Sequence, residues 1–191
     1  MKKFFFYICL LTYTFMNLTL HALNVSDSVP NFEAKDANGK TWSLDKFHSK
    51  KYVLLYFYPA AMTGGCTKQA CSYRDSYNDW QKLGVEVVGI SGDRSENLSL
   101  FTKAEKIPFT LLSDPDGKVA QLFKVPQKKG GIIERFFLGD KYTLERGVTM
   151  TRWTFLLSKS GKLIYKNDKV DPLKDSENVM KFIKNKNVYL I

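Results

Sequence analysis

The chain has 191 residues, the length of one domain with at most a small appendage. Hydrophobic residues make up 44% and charged residues 25% of it, and these globular proportions exclude wholesale disorder. Three cysteines are too few for a disulfide scaffold, and two histidines are too few for most histidine-built metal sites. The net charge of +10 comes from scattered lysines without a strong patch, so it predicts a basic protein with no specific nucleic-acid site.

The first 22 residues have the order of a secretory signal peptide. A positive Met-Lys-Lys start precedes the uncharged, apolar stretch Phe4–Met16, and Ala22 offers a small residue at the cleavage position. We therefore expect residues 1–22 to be removed and the mature protein to occupy an oxidising compartment such as a periplasm, free of the membrane. Leu20, two residues before Ala22, is not small, which leaves an uncleaved membrane anchor as the alternative.

Residues 23–191 contain four apolar runs that are rich in β-forming residues. These runs are residues 51–58, Val85–Ile90, Thr151–Leu157 and Leu163–Tyr165. In the first three runs the apolar residues are continuous and do not alternate with polar ones, which is typical of strands buried on both faces of a sheet. A turn signal at residues 158–161 predicts that the last two strands form a hairpin.

Helical stretches separate these runs. The predicted helices are Cys66–Leu83, Ser95–Lys106, Val119–Phe123 and Asp175–Lys184. The spacing of Asp93 and Glu96 predicts a capping box at the start of the second helix. The order of strands and helices predicts one α/β domain with a mixed central sheet flanked by helices.

Residues 126–150 do not fit this alternation. They carry several glycines and two apolar islands, Ile132-Ile133 and residues 136–138. Long connections in compact domains are usually functional or disordered, and the apolar islands favour a docked hairpin over disorder. The alternative is an insertion that only covers a sheet edge.

The helix that begins at Cys66 carries the chemistry. Its apolar stripe consists of Cys66, Ala70, Tyr73, Tyr77 and Trp80. Cys66 is therefore predicted at the helix N-terminus on the packed side, where free backbone N–H groups and the helix dipole favour thiolate over thiol. Cys71 lies off the stripe, on the solvated flank.

Cys66 and Cys71 cannot bond across an intact helix. Five residues of α-helix separate their Cα atoms by roughly 8.7 Å. A disulfide needs less than about 7 Å, so its formation would unwind the first turns of the helix. The alternative is a permanent structural disulfide, which suits an exported protein but would destroy the predicted helix.

The segment around these cysteines resembles the active-site segment of the peroxiredoxins. Pro59, Thr63 and Cys66 fit the motif Pro-x-x-x-Thr-x-x-Cys. A second cysteine, Cys71, follows five residues later, and this spacing resembles that of the bacterioferritin-comigratory-protein or peroxiredoxin Q subfamily. The similarity continues in the family's order over most of residues 23–191.

The resemblance implies a thioredoxin-like fold and a thioredoxin-dependent peroxidase acting on hydrogen peroxide and organic hydroperoxides. It implies Cys66 as the peroxidatic cysteine and Cys71 as the resolving cysteine, joined in an intramolecular disulfide that a thioredoxin-like protein reduces. Thr63 would hydrogen-bond the peroxide, Pro59 would shield the pocket, and Arg152 would be the cation beside Cys66. No cofactor or metal is expected, and the protein is expected to be a monomer or a weak homodimer.

Two features depart from the family pattern. Gly64 stands where the family usually has proline, which adds backbone freedom just before Cys66. Residues 126–150 also look longer than the subfamily's usual connection, so the pocket and the partner surface are expected to differ.

Other functions fit parts of the sequence. An exported thiol–disulfide oxidoreductase of thioredoxin-like fold would need Cys-x-x-Cys, and proline where Arg152 stands. A basic binding module would use residues 126–150, but the charge is scattered. A Cys–His nucleophile pair would need His48, which lies among lysines in a predicted solvated loop.

Overall fold

The computed structural model describes residues 23–186, which form a seven-stranded mixed sheet, a separate two-stranded sheet and five α-helices. The strands are β1 Glu33–Asp36, β2 Thr41–Ser43, β3 Tyr52–Phe57, β4 Val85–Ser91, β5 Thr110–Ser113, β6 Gln127–Phe137, β7 Asp140–Met150, β8 Trp153–Leu157 and β9 Leu163–Asn167. The helices are α1 Gly64–Asp75, α2 Tyr77–Lys82, α3 Ser95–Glu105, α4 Lys118–Leu122 and α5 Asp175–Asn185, with a short 3₁₀ helix at Leu44–Phe47. The predicted α/β class is confirmed.

The order of the large sheet is β2-β1-β5-β4-β3-β8-β9. Strands β3, β4 and β5 run parallel, whereas β8 is antiparallel to β3. In this register Phe57, at the end of β3, pairs with Trp153, at the start of β8. The end of β3, the helix that follows it and the residue before β8 therefore meet at one edge of the sheet, and this is where the site lies.

Helices cover both faces of the sheet, as the apolar runs predicted. Every residue of β3 is buried, and its successive side chains point to opposite faces. Tyr56 packs in a core with residues of α1, α2, α3 and α5, and Phe57 packs in a second core with residues of α4 and of the segment 29–44. A strand that is covered on both faces must be apolar throughout, which explains the unbroken run.

The predicted helix Cys66–Leu83 is two helices. It begins two residues earlier, at Gly64, and breaks at Ser76, between α1 and α2. The Ser76 hydroxyl donates to the carbonyl of Ser72, four residues back, and contacts the Ser176 hydroxyl at 3.0 Å. Serine hydroxyls that bond to the preceding turn compete with the helix backbone, and here the bond lies at the break.

The predicted capping box at α3 is wrong. The residue at the cap position is Arg94, and no side chain caps the helix. The buried Asp93 carboxylate turns inward instead and accepts hydrogen bonds from the Ala61 N–H (2.8 Å) and the Ser91 hydroxyl (2.9 Å). The sequence has the spacing of a capping box, but the Asp93 carboxylate binds Ala61 and Ser91 instead of the first turn of α3.

Residues 126–150 form the predicted docked hairpin. Strands β6 and β7 pair antiparallel, and their two-residue turn, Leu138-Gly139, has positive φ at both positions, which is typical of tight hairpins. The hairpin docks through a bond from the Gly147 N–H to the Gly92 carbonyl (3.0 Å). Gly147 lies so close to Pro115 that a Cβ atom there would be 2.1 Å from the Pro115 carbonyl oxygen, so this approach requires glycine.

The predicted export signal, residues 1–22, lies outside the described residues. Within residues 23–186, no helix combines the length and the apolar character that crossing a membrane requires.

Candidate active site

Cys66 is the third residue of α1 and is 2% exposed. The helix begins after Thr63, whose carbonyl accepts the Thr67 N–H at 2.8 Å. The N–H groups before Thr67 belong to the first turn, where an α-helix provides no acceptor for them. Cys66 therefore lies in the first turn and on the packed side, as its place in the apolar stripe predicted.

Arg152 contacts the sulfur of Cys66. Its Nη2 lies 3.3 Å from Cys66 Sγ. Arg152 directly precedes β8, and the antiparallel pairing of β8 with β3 brings it to the N-terminus of α1. Gly65 lies beside it: a Cβ atom at that position would be in ordinary van der Waals contact with Arg152 Nη2, at 3.4 Å. The structure thus brings together Cys66 and the predicted cation.

Thr63 and Pro59 lie on the loop between β3 and α1. The Thr63 hydroxyl donates to the carbonyl of Ala60 at 2.9 Å, which leaves its oxygen available as an acceptor. Pro59 is half-buried and lines an open cavity of 480 Å³ with Pro126 and Met150; Cys66 does not line it. The site therefore has Thr63 at the cap of the Cys66 helix, with Pro59 farther back along the loop.

Two residues that the sequence analysis did not assign to the site hold this loop. The Asp93 carboxylate binds the N–H of Ala61, and Arg135 of the hairpin donates through Nε to the carbonyl of Met62 at 2.7 Å. Met62 has a φ of 55°, in the left-handed region that few residues adopt without support. Residues 126–150 thus contact the backbone next to Thr63.

A buried polar network connects Arg152 to Gln69 and Asp175, and the sequence patterns did not predict it. Arg152 donates through Nη1 to Gln69 Oε1, and Gln69 donates through Nε2 to Asp175 Oδ2 at 2.7 Å. Burial raises the pKa of Asp175, while hydrogen bonds and the charge of Arg152 act in the opposite direction. Asp175 was predicted only as the start of a helix, where an acidic residue is ordinary, so the pattern carried no signal of this contact.

Cys71 lies on another side of α1. It is half-buried, and its Sγ is 3.6 Å from Glu105 Oε2 at the end of α3. Burial raises the pKa of the Cys71 thiol; the charge and hydrogen bond of Glu105 raise it further, and Arg74 lowers it. Cys66 and Cys71 are both free thiols, so the structure is a reduced state in which the two sulfurs have separate partners.

Residues 23–186 contain no group of three or more His, Cys, Asp or Glu side chains arranged to hold a metal ion. The chemistry that the described residues can supply is that of a buried sulfur with an adjacent guanidinium and backbone N–H groups. This arrangement suits attack on an electrophile whose departing atom accepts hydrogen bonds.

Comparison with known proteins agrees with this arrangement. The AhpC/TSA family matches residues 25–166. The chain is 43% identical to the chloroplastic peroxiredoxin Q of Triticum aestivum over 157 residues, which are 82% of this chain and 64% of that protein. It is 40% identical to the chloroplastic peroxiredoxin Q of Populus jackii over 169 residues, 87% of this chain and 71% of that protein.

A solved structure gives the same result for the fold. The crystal structure of peroxidoxin BcpB from Mycobacterium tuberculosis matches with a TM-score of 0.71 and 29% identity, covering 85% of this chain and 97% of that one. The likeness confirms the thioredoxin-like fold that the resemblance implied. The family match spans most of the described residues, and the two relatives share the same name. The chain therefore belongs to the AhpC/TSA family and, within it, to the peroxiredoxin Q group.

Proposed function

We propose that the chain is a thiol-dependent peroxidase whose peroxidatic residue is Cys66. The observation that supports this most strongly is the 3.3 Å contact between Cys66 Sγ and Arg152 Nη2 in the first turn of α1. A cation and a helix N-terminus both favour the thiolate, which is the nucleophilic form.

In the first step the Cys66 thiolate attacks the terminal oxygen of the peroxide. The S–O bond forms as the O–O bond breaks, so sulfur loses two electrons and the peroxide gains them. The products are a sulfenic acid on Cys66 and an alkoxide or hydroxide that takes up a proton to become alcohol or water. The guanidinium of Arg152 can donate to the peroxide oxygens, and the Thr63 oxygen can accept from the peroxide O–H, because its own proton is bound to the Ala60 carbonyl.

In the second step Cys71 resolves the sulfenic acid. Its sulfur attacks Cys66 Sγ, forms the disulfide and displaces the sulfenic oxygen, which leaves as water. We propose that a thioredoxin-like dithiol protein then reduces the disulfide by thiol exchange. The alternative, a general thiol–disulfide oxidoreductase, has less support, because Cys66 contacts an arginine and Cys71 faces Glu105 on another element.

Peroxide consumption by the purified reduced protein tests the proposed activity. With excess dithiol reductant, the wild type should consume hydrogen peroxide and organic hydroperoxides with turnover, and Cys66→Ser should consume neither. Ser72→Ala, next to Cys71 on α1, is a matched control that should keep turnover. Turnover by Cys66→Ser at the wild-type rate would refute the assignment, and an active disulfide exchange without peroxide consumption would favour the oxidoreductase.

We also propose that residues 1–22 are an export signal and that residues 23–191 act as a monomer or weak homodimer outside the cytoplasm. The support is the charge and hydropathy order of the first 22 residues. N-terminal sequencing of protein from fractionated cells should find a start near Leu23. A retained Met1 in the membrane fraction would favour the uncleaved anchor.

A further inference from the structure

Asp175 is a fully buried carboxylate for which the proposed reaction has no direct use. It is the first residue of α5 and is 0% exposed. One of its oxygens, Oδ2, accepts three hydrogen bonds: from Gln69 Nε2 (2.7 Å), the Tyr73 hydroxyl (2.6 Å) and the Thr154 hydroxyl (2.7 Å). The other oxygen, Oδ1, is buried and has no hydrogen-bond partner among residues 23–186.

Stability alone does not explain a carboxylate at this place. Moving a charge out of water is costly, and replacing a buried ionic group by a neutral one of similar size is often neutral or stabilising. The three donors would be satisfied by the carbonyl oxygen of an asparagine in the same position. What this position requires is therefore a hydrogen-bond acceptor, and its role lies in what that acceptor holds in place.

Gln69 connects Asp175 to Arg152, and the chemistry of the two ends sets its orientation. The carboxylate of Asp175 accepts hydrogen bonds, and the guanidinium of Arg152 can only donate them. The amide between them satisfies both in one orientation only, with its NH₂ toward Asp175 and its oxygen toward Arg152. If the amide turned over, its NH₂ group would face the guanidinium and its oxygen the carboxylate.

The oriented oxygen of Gln69 acts on the cation that contacts the reactive sulfur. It binds Nη1 of Arg152 while Nη2 of the same planar group contacts Cys66 Sγ. Because the guanidinium is rigid and planar, fixing one nitrogen constrains where the other points. The chain of contacts thus runs from Asp175 through Gln69 and Arg152 to Cys66.

We propose that Asp175 is a positioning residue that, by fixing the amide of Gln69, holds the Arg152 guanidinium against the sulfur of Cys66. This inference rests on the proposed function of Cys66. It predicts that Asp175 and Gln69 act as one unit on the Cys66 thiolate through Arg152. A purely structural Asp175 would affect unfolding and leave the thiolate unchanged.

The test measures two quantities in a Cys71→Ser background: the second-order rate with hydrogen peroxide and the midpoint of the pH profile of Cys66 alkylation by iodoacetamide. Gln69→Met and Asp175→Ala should each lower the peroxide rate about tenfold. Gln69→Met changes no charge, so a displaced guanidinium should also move the alkylation midpoint to higher pH, because it stabilises the thiolate less. Asp175→Asn keeps an acceptor for Gln69 and should recover the wild-type rate to within about twofold. The double variant Gln69→Met/Asp175→Ala should be no slower than either single variant.

Thr154→Val is the matched control, because it removes a donor to the same oxygen without touching Arg152. Its peroxide rate should stay within about twofold of the parent, and its alkylation midpoint within a few tenths of a pH unit. Both should hold even if its melting temperature falls. An unchanged midpoint in Gln69→Met, or additive losses in the double variant, would overturn the positioning role. If Asp175→Ala does not fold, Gln69→Met alone decides. A wild type that alkylates normally but does not consume peroxide would refute the proposed function instead.

Discussion

Cys66 and Cys71 share one helix but face different partners. Cys66 Sγ lies 3.3 Å from Arg152 Nη2, which precedes β8, whereas Cys71 Sγ lies 3.6 Å from Glu105 Oε2 at the end of α3. Both belong to α1, Gly64–Asp75, so ideal helix geometry separates their Cα atoms by roughly 8.7 Å. A disulfide between them therefore requires α1 to open and Cys71 to leave Glu105.

The first prediction is that oxidation unfolds the start of α1. Amide exchange measured by mass spectrometry should show faster exchange over residues 67–73 in the disulfide form than in the reduced form, because exchange reports local opening. Trp80 in α2 is fully buried and should remain protected in both states. Equal protection of residues 67–73 in the two states would mean that the disulfide forms in another way, such as between two chains.

The second prediction concerns Arg152. Arg152→Met removes the charge but keeps much of the bulk, and it should lower the peroxide rate by about ten- to a hundredfold, since a hydrogen bond to a charged group contributes about 1.5–3 kcal/mol. Arg152→Lys should recover only part of this loss, because a single ammonium cannot bind Gln69 and Cys66 with the geometry of a planar fork. Stopped-flow measurement with hydrogen peroxide checks both. A wild-type rate in Arg152→Met would show that Arg152 does not contribute to the reaction with peroxide.

The third prediction is that Glu105 slows disulfide formation. Burial raises the pKa of the Cys71 thiol and Glu105 raises it further, so below that pKa Glu105→Gln should increase the fraction of Cys71 thiolate. The rate of conversion of the sulfenic acid to the disulfide should then rise at pH 7, and the difference from wild type should shrink at high pH, where both proteins are deprotonated. Time-resolved mass spectrometry follows the two species. Equal rates at pH 7 would show that opening of α1, not the charge of Cys71, limits the step.

The fourth prediction is that Asp175→Asn stabilises the fold in a pH-dependent way. Burial raises the pKa of Asp175, so between its ordinary and its raised pKa the folded protein binds more protons than the unfolded chain. Wild-type stability therefore falls as pH rises through this window, by about 1.4 kcal/mol per unit of raised pKa. The buried Asp93 and Asp114 also have raised pKa values, but they are common to both proteins.

Urea unfolding from pH 4 to pH 8 measures this difference. The free energy of unfolding of Asp175→Asn minus that of the wild type should grow as pH rises through the window and stay constant above it. A difference that does not change with pH would show that the ionisation of Asp175 is not linked to folding.

Local patterns predicted much of the fold. The unbroken apolar run ending at Pro59 required a strand covered on both faces, and β3 is that strand. The stripe through Cys66, Ala70 and Tyr73 placed Cys66 on the packed side of α1, where it is buried. Both are consequences of a periodicity that neighbouring residues carry by themselves.

The contacts of the site depend on residues far apart in the chain, which no local pattern specifies. Arg152 is 86 positions from Cys66, and only the family motif pointed to it. Asp175 is 106 positions from Gln69, and at the start of a helix its acidic character looked ordinary. Arg135 reaches Met62 because the hairpin docks there, a result of tertiary packing.

The most direct test of the central claim is to trap the first intermediate. Reduced Cys71→Ser protein is treated with one equivalent of hydrogen peroxide and then with a reagent that labels sulfenic acids, such as dimedone, and the labelled peptide is identified by mass spectrometry. We predict one label per chain, located on Cys66, and a clearly smaller labelled fraction when Arg152→Met protein is given the same brief exposure. A label on another residue, or full consumption of the peroxide without a label on Cys66, would contradict the assignment of Cys66 as the peroxidatic thiol.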